Sequence, residues 1–250
     1  MPSTARPGAP AQNSRPERRE VLGNPTIAVV FVYFYKRGQR LAKQITPDMI
    51  SGLILTLLML GFCLAFYRLR HKKVAGFFSY IGVCKATFKS VLYAIPIAIM
   101  ATACMLFVFA YFGLQHLVLN PNTPAWSLHT NGFNLASIGN VIVFAWVGTA
   151  LWEEVFFRGF LAKRLINLIG FIPGNLVHAV IFGLMHVLLY CAIKLDIRLS
   201  AYLLLFLTPA ILAYSMTYLN ERVAKGSILP GYVTHALLNT ITPIAAAVFF

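Results

Sequence analysis

Two adjacent glutamates, Glu153 and Glu154, lie inside a run of apolar residues that is long enough to cross a membrane. The whole chain has only seven acidic residues. An ionised side chain near the centre of a bilayer costs about 2.5–3.5 kcal/mol on insertion scales. Because such a cost is usually tolerated for catalysis, transport or an essential ion pair, these two carboxylates are the first candidates for chemistry.

The helix positions of the two glutamates predict different ion-pair partners for them. Residues four apart share a helix face, so Glu154 and Arg158 can form an ion pair. Glu153 lies about 100° around the helix from Glu154 and is free to point elsewhere. Since Arg158 stays charged in practice, it needs an anionic partner, and Glu154 is well placed to be that partner.

Polar groups also interrupt two later apolar runs. His186 lies in one of them, and His235 and Asn239, which share a helix face, lie in the last. If each run crosses the membrane once, Glu153 and His235 each sit about 8 Å from the same side, at 1.5 Å per residue. The spacing predicts that the four side chains can meet in one half of the membrane.

Composition indicates the elements that must position these groups. The chain has 250 residues, of which 59% are hydrophobic and only 11% charged, whereas soluble domains carry about 25% charged residues. We predict an all-α polytopic transmembrane helical bundle. Six apolar runs have the length of a membrane span, at residues 49–66, 91–114, 135–157, 172–192, 201–219 and 229–249. A shorter run at 26–35 is interpreted as interfacial or as part of a tilted helix.

We interpret the chain as one integral membrane domain with three parts. Residues 1–24 form a disordered basic N-terminal tail, residues 25–134 form N-terminal membrane helices, and residues 135–250 form the catalytic membrane core. The run at 26–35 has no small-residue cleavage site after it, so we expect the N-terminus to be retained.

The net charge of +14 fits cytoplasmic loops and anionic lipid rather than nucleic acid, because Lys and Arg gather in cytoplasmic loops. Residues 68–89 contain six basic residues, and residues 115–134 contain no charged one. The first segment is therefore expected in the cytoplasm and the second outside, which places the glutamates in the cytoplasmic half. The basic residues between 36 and 43 do not fit this alternation: either the helix at 49–66 does not cross simply, or the basic stretch lies along a membrane surface.

Metal and thiol chemistry have weak support in the sequence. The four cysteines form no C-x-x-C pair, so neither a thiolate zinc site nor a disulfide framework is indicated. Two Glu and two His could still coordinate Zn²⁺ as in a metalloprotease, although His-Glu-x-x-His is absent. His178 matches no motif and is interpreted as structural.

The residues singled out above resemble the three motifs of a known family of membrane endopeptidases. They occur in order as Glu153-Glu154-x-x-x-Arg158, Phe182-x-x-x-His186 and His235-x-x-x-Asn239, each within an apolar run. The pattern is similar to that of the CAAX-protease and bacteriocin-processing (CPBP) family, which includes the enzyme that trims prenylated CAAX proteins. The resemblance covers roughly residues 135–249. It implies about eight membrane helices, and the apolar runs indicate six, so we expect about six to eight.

The resemblance implies a glutamic protease of the CAAX prenyl protease type, which works without a cofactor. Glu153 would be the general base and His186 would hold and polarise the water. His235 and Asn239 would donate hydrogen bonds to the developing oxyanion. The expected catalytic set is therefore Glu153, His186, His235 and Asn239.

In the same resemblance, Glu154 and Arg158 would support and orient the site. The expected partners are the lipid bilayer and a membrane-associated protein or peptide, prenylated or with a hydrophobic C-terminal segment. Two alternatives stay open: a zinc-dependent membrane protease with the same Glu and His residues, and a non-catalytic immunity or transport protein with a proton relay. Asn239 beside His235 favours an oxyanion site, since a proton relay has little use for an amide.

Overall fold

The computed structural model describes residues 49–192 and 197–250, and within them all regular secondary structure is helical. We number the helices of these residues in chain order, treating continuous spans as single helices. They are α1 (Met49–His71), α2 (Phe77–Tyr80), α3 (Phe88–Phe112), α4 (Gln115–Val118), α5 (Pro124–Asn131), α6 (Leu135–Ile169), α7 (Phe171–Ala192), α8 (Leu199–Val223) and α9 (Leu229–Phe249).

Six of these helices, α1, α3, α6, α7, α8 and α9, are long and apolar enough to cross a membrane, judged by length and composition. They coincide with the six predicted spans and confirm an all-α, multi-pass membrane protein. The predicted tail 1–24, the run at 26–35 and the basic residues between 36 and 43 lie outside the described residues.

The largest difference from the predicted spans is the length of α6. The apolar run ends at residue 157, but the helix continues to Ile169 and has 35 residues. At 1.5 Å per residue that is about 52 Å, well beyond the roughly 30 Å of a hydrocarbon core. Glu153 is therefore 16 residues from the end of its helix, and the expected distance of about 8 Å was wrong.

The basic residues that end the apolar run stay helical because each has a partner. Lys163 Nζ donates to Glu221 Oε1 at 2.5 Å and to the Gly226 carbonyl at 2.7 Å. Arg164 donates to the Tyr80 carbonyl at 3.0 Å. The Lys163 contacts tie the end of α6 to the end of α8 and to the loop that leads into α9.

The first turn of α9, which precedes His235, is fixed by side chains from other segments. Asn220 on α8 accepts a hydrogen bond from the backbone N–H of Gly231 at 2.8 Å. Ser227 donates to the Cys84 carbonyl at 2.7 Å. The Asn220 bond satisfies a backbone N–H that a helix N-terminus would otherwise leave unpaired and ties α9 to α8. The Ser227 bond ties the loop before α9 to the segment before α3.

Glycines allow close backbone contacts at two positions of the bundle, Gly159 and Gly183. A Cβ atom on Gly183 in α7 would lie 2.7 Å from the Phe206 carbonyl oxygen in α8. One on Gly159 in α6 would lie 2.7 Å from the Ile81 carbonyl oxygen. Since α7 carries His186, the α7–α8 contact helps to set the position of that imidazole.

We predict that Gly183→Ala lowers the thermal unfolding temperature of the detergent-solubilised protein. The added methyl group meets backbone rather than a flexible side chain, and overpacking of this kind costs about 1–3 kcal/mol. Gly139→Ala is the matched control, because nothing lies within 4 Å of a Cβ atom at that helical position. Equal unfolding temperatures for the two variants would contradict the close α7–α8 contact.

Candidate active site

A buried cluster of charged side chains joins α6 to α9. Arg158 Nη1 lies 3.0 Å from Glu154 Oε1, so the predicted ion pair is present. The same carboxylate oxygen lies 2.9 Å from His235 Nδ1. The side chains of Glu154 and Arg158 are each only 1% exposed. Removing one partner of such a pair would leave a buried charge without compensation, which is strongly destabilising.

Glu153 approaches the other nitrogen of the same imidazole. Its Oε2 atom lies 3.8 Å from His235 Nε2, so the ring of His235 is held between the two glutamates. Because a carboxylate can only accept, Nδ1 of His235 carries the hydrogen that Glu154 receives. Nε2, on the side of Glu153, is then an acceptor in the neutral ring and a donor in the charged ring.

The two carboxylates differ in how many partners they have. Oε1 of Glu154 is shared by Arg158 and His235. Glu153 Oε2 lies 3.8 Å from His235 Nε2, which is too long for a hydrogen bond. Among the described residues, the buried Oε2 atoms of Glu153 and Glu154 both have no hydrogen-bond partner. The difference between the two side chains is therefore that Glu154 uses its other oxygen on Arg158 and His235.

Asn239 lies one helical turn beyond His235 and is held by a residue of α6. Its Nδ2 donates to Thr149 Oγ1 at 2.8 Å. The order of contacts along α6 does not follow the order along α9: Tyr232 donates to the Trp146 carbonyl, Asn239 contacts Thr149, and His235 contacts Glu154. Three residues of α9 thus contact a stretch of nine residues in α6.

His186 reaches the same region from α7. Its Nδ1 lies 2.9 Å from the carbonyl of Phe182, one turn earlier in the helix. A carbonyl only accepts, so Nδ1 carries the hydrogen and Nε2 of the neutral ring is an acceptor. The rings of Phe182 and His186 are 4.6 Å apart, centroid to centroid.

Phe182 also supports the charged cluster. The guanidinium carbon of Arg158 lies 4.1 Å from the centre of its ring, a cation–π distance. Arg158 Nη2 lies 3.7 Å from the sulfur of Met216 on α8. The arginine is thus held by contacts to Glu154, Phe182 and Met216, on three different helices.

A cavity of about 80 Å³ brings the three motifs together. Arg158, His186, His235 and Asn239 are among its lining residues. A single water needs about 10–15 Å³ of such a volume, so the cavity can hold several. Glu153 reaches the site through its contact with His235 and is not itself a lining residue of this cavity.

The backbone of α6 is irregular where these groups attach. Two π-helical stretches, Phe144–Ala150 and Glu154–Ala162, flank the short α-helical stretch Leu151–Glu153. Widened turns of this kind are frequent at functional sites. Here the widening surrounds the glutamate pair and Thr149, a residue that the motif analysis missed. The sequence signal for Thr149 was its position four residues before Glu153, which places it on the same helix face.

Two further sequence interpretations concern His178 and zinc. His178 is buried, with its Nδ1 atom 3.4 Å from Thr217 Oγ1 on α8, a contact that suits a structural role. Among residues 49–192 and 197–250, no three His, Cys, Asp or Glu side chains are grouped so that they could hold a metal ion.

The comparison with known families matches the region that carries the site. The sequence profile of the family described as Rce1-like, type II CAAX prenyl endopeptidase, matches residues 135–241. Residues 135–241 belong to this family. This segment is therefore a CAAX-protease-type peptidase domain, a hydrolase, within a multi-pass membrane protein, as the resemblance implied. All three motifs fall inside the matched segment, whereas α1 to α5 precede it. Searches of the curated proteins and of the solved structures found no match.

We predict that Glu154→Gln lowers the yield of folded protein and its unfolding temperature as well as its activity. The substitution removes the main counter-charge of buried Arg158, at a cost of about 3 kcal/mol, the lower end for a broken buried pair. Glu153 lies nearby and still supplies negative charge.

The double variant Glu154→Gln/Arg158→Met is the internal control for this prediction. It removes both charges and keeps apolar volume against Phe182, so it should recover stability without recovering activity. An unfolding temperature unchanged by Glu154→Gln alone would show that the pair does not stabilise the bundle.

Proposed function

We propose that this protein hydrolyses a peptide bond of a membrane-associated substrate, with Glu153 as the general base for a water molecule and without a metal ion. One observation supports this proposal above the others. The imidazole of His235 lies between the glutamates and beside a cavity that His186 and Asn239 also line. A base, a polarising group and an oxyanion donor therefore share one site.

The contacts of the two glutamates support different roles for them. Glu154 binds Arg158 and His235 through Oε1, so it orients the imidazole and stabilises the cluster. Glu153 is not the partner of Arg158 in that ion pair, and its buried Oε2, which has no hydrogen-bond partner, can accept the proton that a general base takes. It takes one proton from water as the water oxygen attacks the carbonyl carbon. It returns that proton to the leaving amine when the C–N bond breaks, so no covalent acyl-enzyme forms.

Charge accounting in the cluster fits this proton transfer. Glu153, Glu154, Arg158 and protonated His235 together carry no net charge. The cluster is equally neutral if the proton lies on Glu153 and His235 is uncharged. Since net charge is costly in a poorly solvated site, a proton can pass between Glu153 and His235 without leaving a net buried charge.

The remaining polar groups can act on the water and on the oxyanion. Nε2 of neutral His186 is an acceptor and can hold the water. Asn239 uses one amide hydrogen on Thr149 and keeps a second for the developing oxyanion. His235 can donate to the same oxyanion from Nε2 when its ring is protonated. In known enzymes, each oxyanion donor contributes about 2.7–4 kcal/mol.

The surroundings of the site favour an apolar substrate, either a prenylated CAAX-type tail or a hydrophobic C-terminal segment. A second cavity of about 330 Å³ shares Met105, Leu238 and Asn239 with the first. Its other lining residues are mostly apolar and come from α3 to α7 and α9. An apolar group bound there would lie next to Asn239, and thus beside the peptide bond to be cut.

We further propose that the site opens from the cytoplasmic half of the membrane. In support, His235 is only six residues from the start of α9. That end of the bundle carries Lys163, Arg222 and Lys225, as expected for a cytoplasmic face. His186 is six residues from the opposite end of α7, so the site extends towards the middle of the membrane.

Glu153→Gln tests the proposed base directly. We predict that purified full-length protein in lipid nanodiscs cleaves an internally quenched, farnesylated peptide that ends in a CAAX sequence. Glu153→Gln should lower kcat at least 10³-fold, because Gln cannot accept the proton, while the unfolding temperature stays near that of the wild type. In cells, specific membrane-protein termini should disappear with the variant. Identical termini and equal peptide cleavage in both forms would refute the proposal.

Chelation in the same assay separates this mechanism from a zinc protease with the same residues. Cleavage should survive prolonged 1,10-phenanthroline treatment, because the proposed water is activated by a carboxylate alone. Loss of activity that added Zn²⁺ restores would instead assign Glu153, His186 and His235 as metal ligands.

A further inference from the structure

The contact between Asn239 and Thr149 has a defined direction. Thr149 Oγ1 lies 3.2 Å from the Phe144 carbonyl and 3.3 Å from the Ala145 carbonyl, and its single hydrogen is directed to them. A hydroxyl has one hydrogen and two acceptor lone pairs. Towards Asn239, the oxygen of Thr149 can therefore act only as an acceptor, and it selects the Nδ2 end of the amide.

The direction matters because an amide has two chemically opposite ends. If the Asn239 side chain rotated by half a turn, Oδ1 would replace Nδ2 beside Thr149. That arrangement would force the Thr149 hydroxyl to give up its bonds to the backbone carbonyls. It would also change which end of the amide is available to the cavity. An oxyanion is stabilised by an N–H and repelled by a carbonyl oxygen.

The position of Thr149 in α6 links this contact to the base. Thr149 precedes Glu153 by four residues, about one helical turn. It lies in the π-helical stretch Phe144–Ala150, where two preceding carbonyls come within reach of its hydroxyl. The same segment of α6 thus carries the general base and the anchor for Asn239, so the two groups keep a fixed separation.

We propose that Thr149 is a positioning residue that fixes the orientation of the Asn239 amide through Nδ2 and so presents an N–H to the oxyanion. This proposal rests on the function proposed above, in which Asn239 is an oxyanion donor. Thr149 does not contact the substrate itself. It acts through Asn239, in contrast to Glu153, which reacts directly with water.

The test compares Thr149→Val, which removes the hydroxyl at nearly constant shape, with Thr149→Ser, which keeps it. In the farnesylated-peptide assay, Asn239→Ala should lower kcat about 10²-fold, the usual effect of losing one oxyanion donor. Thr149→Val should lower kcat about tenfold with little change in KM, and Thr149→Ser should restore most of that loss. Thr56→Val is the matched control, since the buried Thr56 hydroxyl donates to the Gly52 carbonyl of its own helix.

A double variant separates positioning from a general structural effect. Once Asn239 is alanine, Thr149→Val should change kcat by no more than about twofold, because the two residues act through one contact. A full tenfold loss in that background would overturn the proposal. So would a normal kcat for Thr149→Val alone, or for Asn239→Ala alone.

A spectroscopic measurement tests the same contact without any substrate. The side-chain amide signal of Asn239, identified in ¹⁵N-asparagine-labelled protein by its loss in Asn239→Ala, should shift in Thr149→Val and stay in place in Thr149→Ser and Thr56→Val. An unshifted signal in Thr149→Val would overturn the positioning role. Failure of Glu153→Gln to lower activity would refute the proposed base. The amide signal of Asn239 would still report whether Thr149 fixes that side chain, because it needs no substrate.

Discussion

The buried contact of His235 with Glu154 is the interaction on which the rest of the site depends. It joins α9 to α6, and through Glu154 it extends to Arg158, which packs on Phe182 and Met216 of two further helices. A bundle that buries two carboxylates and a guanidinium must satisfy them together, since each alone would be costly. The same requirement leaves Glu153 less constrained than Glu154. A carboxylate bound to Arg158 and His235 and a carboxylate proposed as the base thus occupy neighbouring positions in the chain.

The ends of the helices support this arrangement at a distance. Lys163 holds Glu221 and the Gly226 carbonyl, and Asn220 holds the first turn of α9. These contacts lie at the end of the bundle where α9 begins. They fix the depth of His235 within the bundle. With the start of α9 held in this way, His235 contacts the glutamates and Asn239 contacts Thr149.

Much of this organisation could be predicted from the sequence because it depends on composition and local spacing. Six apolar runs predicted six membrane helices, and the spacing of Glu154 and Arg158 predicted their ion pair. The length of α6 could not be predicted from hydropathy, because the apolar run ends before Lys163 and Arg164, whose partners lie on distant segments. The contact of Thr149 with Asn239 could not be predicted either. Threonine is common in apolar helices, and nothing in the local sequence shows that α9 places Asn239 beside this one. Contacts between helices depend on crossing geometry, which the sequence does not display locally.

The central claim is that water, activated by Glu153, attacks the peptide bond directly. A single turnover in H₂¹⁸O with excess enzyme tests it most directly, with mass spectrometry of both the product and the Glu153-containing fragment. Direct attack by water should place one ¹⁸O atom in the newly formed carboxylate of the product and none in Glu153. An unlabelled product together with ¹⁸O in Glu153 would show that the glutamate itself attacked the substrate, and would contradict the account.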